Sequence, residues 1–312
     1  MNIKGANTEA YYRFLRAHED LGTNIKLAYG ALHAISRDEK PLTSGRSTNL
    51  IFLPTGGEPW GKNTRWRSVK TRIPNVRKLI SEMGLVLAAS AFEDFLTNVH
   101  SEHARFSDFT RVEQFPQPAS DGENEDRERL RALFSALQWD ITRIEYMLPL
   151  YDYFIIARNC VVHRSGRASP ALVEKAESSV LAECVKKWPS RPGRTIPQLP
   201  LVQEGHEISL LPRHVILFSE VCQRIALEMD GRLLEFLGVK GLVYLAAHHG
   251  LLSENRIHTD AKRSPERVIN LMLTERCQVQ LADEFEVIAI LKEMNLWTEC
   301  RTTYQRLFGN AV

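Results

Sequence analysis

The sequence has few features of a secreted, disulfide-bonded or membrane-spanning protein. Its five cysteines are odd in number and widely spaced, and no two form a Cys-x-x-Cys pair. This pattern argues against a disulfide framework and against a zinc ribbon. The longest apolar run, Gly84 to Phe92, is interrupted by Ser90 and is too short to span a bilayer. The N-terminus also lacks the apolar core of a signal peptide. We therefore expect a cytoplasmic protein that does not interact with a membrane.

The chain also lacks a large excess of either charge, because its formal net charge is +2 over 312 residues. Such a value gives no argument for nucleic-acid binding unless the charge is concentrated locally. Hydrophobic residues make up 44% of the chain and charged residues 25%, which is typical of a globular protein. We predict three regions: N-terminal helices and a loop over residues 1–60, a main helical domain over 61–240, and a C-terminal helical subdomain over 241–312.

One segment does concentrate positive charge. Residues 62 to 78 include seven basic residues and no acidic one, and two tryptophans accompany them. Basic side chains can neutralise phosphates, and tryptophan rings can stack on unpaired bases. The candidate RNA-binding residues are Lys62, Arg65, Trp66, Arg67, Lys70 and Arg72. A solvated basic loop without a ligand is the alternative that the sequence leaves open.

Two other patterns resemble ligand sites but lack essential residues. Residues 56–62 nearly match the phosphate-binding loop GxxxxGK[ST], but Asn63 stands where the loop needs a magnesium-binding hydroxyl. Pro59 also removes a backbone amide from the predicted phosphate cradle. The adjacent His248 and His249 have no further ligands at metal spacing. We therefore predict neither a metal site nor a cofactor.

Helical spacing of apolar residues predicts an all-α protein with short β elements. We expect long helices over residues 8–35, 76–103 and 215–237, another that ends near residue 163, and a further helix from Ser169 through Lys187. A break near Gly22, and a kink or a division of the helix at Pro149, are expected from the weak helix propensity of these residues. Short strands are expected at residues 50–53 and 207–211, and three or four shorter helices after residue 242.

The sequence FIIARNCVVHRSGRAS, residues 154 to 169, contains the main candidate site. Arg158 and Asn159 lie within an apolar run, and His163 follows where that run gives way to a polar turn. A guanidinium in such a run is costly unless it is paired or faces a pocket. Cys160 could act as a nucleophile only beside a base, and we interpret it as a small buried residue.

The spacing of these three residues limits how they can cooperate. Asn159 and His163 are four residues apart and share a helix face. Arg158 and His163 are five residues apart, so a regular helix points them in different directions. If the two cooperate, either the helix end is distorted or a second chain completes the site.

The Arg-Asn-x-x-x-His pattern of Arg158, Asn159 and His163 resembles the signature of the HEPN family (higher eukaryote and prokaryote nucleotide-binding domains). The polar turn after His163, the upstream Phe92-Glu93-Asp94-Phe95-Leu96 helix and the helix from Val215 are also similar to that family's helical bundle. The resemblance covers roughly residues 74 to 237 and does not include the C-terminal part.

The resemblance implies a HEPN-like helical bundle and a metal-independent endoribonuclease that acts as a homodimer. Two copies of the motif would face each other across the interface. His163 would serve as general base or acid, Arg158 would bind phosphate oxygens, and Asn159 would orient His163 or the scissile phosphate. Glu93 is a candidate for fixing Arg158.

The resemblance also suggests a biological setting and an alternative. Such proteins include toxins and effectors of antiviral defence, which would require a regulatory or antitoxin partner. Some members bind RNA or nucleotides without cutting them. A non-catalytic helical RNA-binding or scaffold protein, in which the Arg/His motif is structural, is therefore the second hypothesis.

Overall fold

A computed structural model shows an all-α protein, which confirms the predicted fold class. It describes residues 1–37, 66–110, 125–188, 198–200, 202–257, 264–280 and 284–309. In these ranges there are eleven α-helices and two π-helical turns, at His248–Leu252 and Met272–Arg276. The helices are α1 (Glu9–Arg37), α2 (Trp66–Thr110), α3 (Glu125–Ala136), α4 (Thr142–Glu145), α5 (Leu148–His163), α6 (Pro170–Glu177), α7 (Ser179–Lys187), α8 (Pro212–Ala247), α9 (Pro265–Leu271), α10 (Glu284–Glu293) and α11 (Trp297–Phe308).

The described residues form two compact units, and each is built from separate stretches of the chain. Unit 1 contains residues 1–17, 91–146 and 223–312, and unit 2 contains residues 18–90 and 147–222. Helices α1, α2 and α8 therefore contribute residues to both units. The predicted division at residues 60 and 240 cuts the chain elsewhere and stays a prediction.

Helix α5 is the central helix of unit 2. Its residues Tyr151, Tyr153 and Phe154 are completely buried. The rings of Tyr151 and Phe154 lie 6.2 and 5.3 Å from the ring of Phe218 on α8. Because the helix is surrounded, it has no polar face over these turns, which explains its nearly continuous apolar sequence.

Two prolines affect helices in different ways. Pro149 lies in the first turn of α5, where the backbone amides have no intrahelical acceptor, and the helix expected through it is divided into α4 and α5, which is one of the two outcomes predicted there. Pro74 lies inside α2. Helix α2 starts at Trp66, before this proline, so it includes most of the basic segment. This corrects the interpretation of that segment as a loop.

Other helix boundaries were predicted in part. Helix α1 runs through Gly22 without a break. The single helix expected after Ser169 is divided into α6 and α7 by Ser178, whose ψ is 128°. Gly238, where we expected a domain boundary, interrupts α8 with φ 55° and ψ −163°.

The predicted β elements are reduced to two isolated bridges within the described residues. One joins Asn2 to Gln280 and the other joins Arg167 to Glu207. The second bridge falls at the start of the strand expected over residues 207–211. The strand expected over residues 50–53 lies outside the described residues.

Candidate active site

The predicted motif lies where α5 emerges from the core of unit 2. Ala157 is completely buried, Arg158 and Asn159 are half-buried, and His163 is exposed. Cys160 is buried, and its Sγ lies 3.4 Å from Oγ of Ser169. The motif thus has the partial exposure that a binding site needs, and Cys160 has the burial expected of a packing residue.

Arg158 and Asn159 are joined by a direct hydrogen bond. Nη1 of Arg158 donates to Oδ1 of Asn159 at a distance of 2.9 Å. The bond holds one nitrogen of the guanidinium in place. A half-buried guanidinium whose plane is held in this way is suited to bind two oxygens of one phosphate.

His163 is the last residue of α5, and the helix is regular as far as this residue. The first departure from helical geometry is at Arg164, whose φ is −129°. Asn159 and His163 therefore share a face, with about 40° between them around the axis. Arg158 and His163 are about 140° apart around the axis. The helix end thus lacks the distortion that would bring Arg158 and His163 together within one chain.

A tight turn after His163 ends the helix. The amide N–H groups of Arg164 and Gly166 both donate to the carbonyl oxygen of Cys160 at 3.0 Å. Ser165 and Gly166 both have positive φ, 53° and 76°. Glycine adopts this conformation without a steric penalty, so Gly166 allows the chain to reverse directly after the motif.

Four exposed apolar side chains form a stripe along the part of α2 that belongs to unit 2. They are Val76, Leu79, Met83 and Leu87, with exposed fractions of 39, 52, 55 and 56%. Their spacing of three, four and four residues places them on one helix face. A contiguous exposed apolar stripe is typical of a surface that binds another protein. We call these four residues the α2 stripe.

The structure describes only part of the candidate RNA-binding segment. Lys62 and Arg65 lie outside the described residues. Trp66, Arg67 and Lys70 lie in the first turns of α2, and their side chains are not among those described. Arg72 is exposed on α2. An RNA-binding role for this helical segment stays a prediction.

Glu93 is the candidate support for Arg158. It lies on α2 and is half-buried, whereas its neighbour Asp94 is exposed and accepts a hydrogen bond from Asn98 at 2.9 Å. Glu93 belongs to unit 1 and Arg158 to unit 2. Their pairing stays a prediction.

Unit 1 contains a buried polar cluster that the sequence did not indicate. Oδ1 of Asp230 accepts hydrogen bonds from the amide N–H of Thr8 at 3.0 Å and from its hydroxyl at 2.6 Å. Oε1 of Glu102 accepts from the amide N–H of Ala10 at 2.9 Å. These amides belong to the start of α1, where backbone N–H groups have no intrahelical acceptor. The two carboxyl groups therefore cap α1 from other helices.

Burial changes the protonation of this cluster. Burial raises the pKa of Glu102 to about 8 and the pKa of Asp230 to about 7. It lowers the pKa of His249, whose Nε2 lies 3.7 Å from Oε1 of Glu102, to about 4. Residues 8, 102 and 230 are far apart in the chain, so no local pattern could have revealed their contact.

A groove in unit 2 is separate from the motif. It has a volume of about 290 Å³ and is lined by residues of α1 and α8 that do not include Arg158, Asn159 or His163. Nδ1 of His18 lies 2.6 Å from Oγ of Ser219 in this groove. Ser219 is the eighth residue of α8, beyond the first turn, where the backbone amides are already bonded within the helix and do not offer donors for an oxyanion.

Comparisons with models of protein families, with curated proteins and with solved structures found no match to this chain. Among the described residues, no helix is both long enough and apolar enough to cross a membrane. In the same part of the chain, no three His, Cys, Asp or Glu side chains are grouped so that they could hold a metal ion.

Proposed function

We propose that this protein is an endoribonuclease that cleaves RNA without a metal ion, through attack by the RNA's own 2′-hydroxyl group. The observation that carries the proposal is the end of α5, where a half-buried Arg158–Asn159 pair and an exposed His163 follow a completely buried segment. Ionisable groups that converge at the edge of an apolar core mark functional sites more often than chance does.

The proposed reaction needs three chemical functions. A base removes the 2′-hydroxyl proton while that oxygen attacks the adjacent phosphorus, and an acid protonates the departing 5′-oxygen. The products are a 2′,3′-cyclic phosphate and a 5′-hydroxyl. His163 can act as the base or the acid, because an imidazole can both accept and donate a proton. Arg158 would stabilise the charge on the phosphorane-like transition state. Asn159 would orient His163 or the phosphate.

Two observations support a homodimer with a composite site. The regular end of α5 keeps Arg158 and His163 of one chain on different faces. The exposed α2 stripe offers an apolar surface for a second copy. In a two-fold symmetric dimer, Arg158 of one copy and His163 of the other would form each of two sites.

RNA binding would come from exposed basic residues of unit 2. Arg72 and Arg164 are exposed in unit 2. The segment with Lys62, Arg65, Trp66, Arg67 and Lys70 would add phosphate contacts and ring stacking. By its resemblance to the HEPN family, the protein would be a cytoplasmic toxin or an effector of antiviral defence, controlled by a regulatory or antitoxin partner.

One observation favours the alternative of a non-catalytic RNA-binding or scaffold protein. Arg158 and Asn159 satisfy each other through a hydrogen bond, as residues of a structural polar network do. Cleavage assays distinguish the two functions, because a structural motif would support RNA binding without producing cyclic-phosphate ends.

The decisive experiment measures cleavage of total RNA in the presence of EDTA. We expect His163→Ala and Arg158→Ala to lower cleavage at least about 100-fold, since each removes a group that acts in the transition state. His33→Ala and Arg213→Ala are matched controls, because both residues are exposed in unit 2 and neither belongs to the motif. Cleavage that survives both motif substitutions would refute the proposal.

Mixing the two inactive variants tests the composite site. A heterodimer of Arg158→Ala and His163→Ala chains has one site with both substitutions and one intact site. Random exchange of subunits should therefore restore about one quarter of wild-type activity. No restoration, despite proven subunit exchange, would mean that each chain carries its own complete site.

A further inference from the structure

Residues of α2 hold the turn that follows His163. Nζ of Lys78 lies 2.7 Å from Oε2 of Glu207 and 3.8 Å from Oε1 of Glu82. Glu207 is the residue that forms the isolated β-bridge with Arg167, four residues after His163. Lys78 therefore links α2 to the segment that is paired with the turn.

Backbone hydrogen bonds join the turn after His163 to the segment that contains Glu207. The amide N–H of Ile208 donates to the carbonyl oxygen of Gly166 at 2.9 Å, and that of Ala168 donates to His206 at 2.9 Å. Nη1 of Arg167 donates to the carbonyl oxygen of Gly205 at 3.0 Å. Residues 166–168 and 205–208 thus form one antiparallel contact, which Lys78 ties to α2.

Glu82 lies directly against the turn. A Cβ atom at position 166 would lie only 2.6 Å from Oε1 of Glu82. Glycine adopts the φ of 76° without a steric penalty, and its lack of a Cβ leaves room for the carboxyl group of Glu82. Burial raises the pKa of Glu82, Lys78 lowers it, and Glu207 raises it further.

We infer that Lys78, Glu82 and Glu207 form a clasp that sets the position of His163, and that they are positioning residues for the proposed reaction. The inference rests on the proposed function. Val162, His163 and Arg164 are exposed, and the following turn is bonded to the last turn of α5 through the amide of Gly166 and the carbonyl oxygen of Cys160. A shift of about 1 Å in a catalytic group can lower a rate on the order of 100-fold.

The same helix also carries the α2 stripe. Leu79 and Met83 each follow a clasp residue, Lys78 and Glu82, by one position, so stripe and clasp occupy neighbouring faces of α2. If the stripe binds a second copy, the clasp fixes His163 relative to that interface. The position of His163 relative to the interface is important in a composite site, because His163 would act together with Arg158 of the other chain.

Charge reversal across the Lys78–Glu207 pair tests the clasp. We expect Lys78→Glu and Glu207→Lys each to lower kcat about tenfold while KM changes less than about threefold, because misplacement affects the transition state more than binding. The double variant should recover kcat to within about threefold of wild type. Lys187→Glu is the matched control, since Lys187 forms an exposed pair with Glu183 on α7 at 3.8 Å.

Hydrogen exchange gives a readout that does not depend on cleavage. The amides of Gly166, Ala168 and Ile208 should exchange faster in both single variants and return to wild-type rates in the double variant. Buried amides of α5, such as that of Phe154, should stay unchanged. If a reversed charge prevents folding, Lys78→Met removes only the cation and should speed exchange of the same three amides.

The outcomes separate this inference from the proposed function. Unchanged exchange at all three amides would overturn the clasp even if the protein cleaves RNA. Faster exchange with unchanged kcat would overturn its positioning role. If wild type does not cleave RNA, the proposed function fails and the positioning role fails with it, and the exchange data then decide only whether the clasp holds the turn.

Discussion

Units 1 and 2 each contain a concentration of charged side chains, and the two differ in burial. In unit 1, Glu102 and Asp230 are buried and accept hydrogen bonds from the first backbone amides of α1. In unit 2, burial decreases along α5 until His163 is exposed. The buried groups have partners that account for a structural role, whereas the motif reaches the surface, where it could contact a substrate.

The comparison shows that an ionisable cluster is not by itself a candidate active site. Burial raises the pKa of Asp230 and of Glu102, and such shifts are common at functional sites. Here the same carboxyl groups accept hydrogen bonds from backbone amides at the N-terminus of α1. Those amides have no acceptor within the helix, so a buried helix end needs acceptors from elsewhere. Access to solvent distinguishes the end of α5 from the cluster.

Asp230→Ala should give the largest loss of stability, about 2–4 kcal/mol in the free energy of unfolding. The substitution leaves the amide and the hydroxyl of Thr8, which is completely buried, without their acceptor. His163→Ala should change this free energy by less than about 0.5 kcal/mol, because His163 is exposed. Urea unfolding measures both, and Asp94→Ala is an exposed-carboxylate control. Equal losses for Asp230→Ala and Asp94→Ala would contradict the comparison.

The pH dependence of stability should come from the same buried carboxyl groups. The pKa values of about 7 for Asp230 and about 8 for Glu102 lie above the ordinary values of 3.8 and 4.5. The folded state therefore binds more protons at these groups, and their contribution is lost as pH rises through the folded pKa values. Above about pH 7.5 the histidines of the unfolded chain are largely neutral, so buried histidines with lowered pKa values, such as His103 and His249, contribute little to the slope there. We expect stability to fall by roughly 1 kcal/mol between about pH 7.5 and 8.5.

Glu102→Gln provides the test of that assignment. The amide cannot ionise, so the variant should lose less stability than wild type over the same pH range. Asp94→Asn should keep the wild-type slope, because Asp94 is exposed. Urea denaturation at both pH values measures the difference. A wild-type stability that rises over this range would refute the assignment to Glu102 and Asp230.

Leu79→Glu should have the smallest effect on stability, below about 0.5 kcal/mol, because Leu79 is 52% exposed. Its effect should appear in self-association, since a carboxylate in an apolar interface is costly to desolvate. We expect at least a tenfold weaker dimer by sedimentation, with a parallel loss of cleavage. Leu227→Glu is the control, as Leu227 is 57% exposed in unit 1. If the Leu79→Glu variant dimerises as tightly as wild type, the α2 stripe is not part of the dimer interface.

Local patterns predicted the helices because helix formation depends on residues three and four positions apart. The spacing of apolar residues indicated α1, the centre of α2, α5 and most of α8. It failed at Pro74, because whether a proline ends a helix or lies within it depends on the neighbouring segments that pack against the helix. The spacing also failed at Ser178, where α6 and α7 separate.

The candidate site, like the helices, was predicted only in part. The residues of the motif, its position at a helix end and the turn after it could all be inferred from residues 154 to 169. The clasp could not, because Lys78, Glu82 and Glu207 lie far from His163 in the chain and have ordinary charged side chains. Only their contacts distinguish them from other surface lysines and glutamates.

The sequence by itself determined that the protein is helical and that Arg158, Asn159 and His163 end a buried helix. Both properties follow from local spacing and from the cost of placing charge in an apolar run. The tertiary structure decided which carboxyl groups are buried at the start of α1 and which side chains hold the turn after His163. Those contacts join residues separated by up to 222 positions, and packing alone brings such residues together.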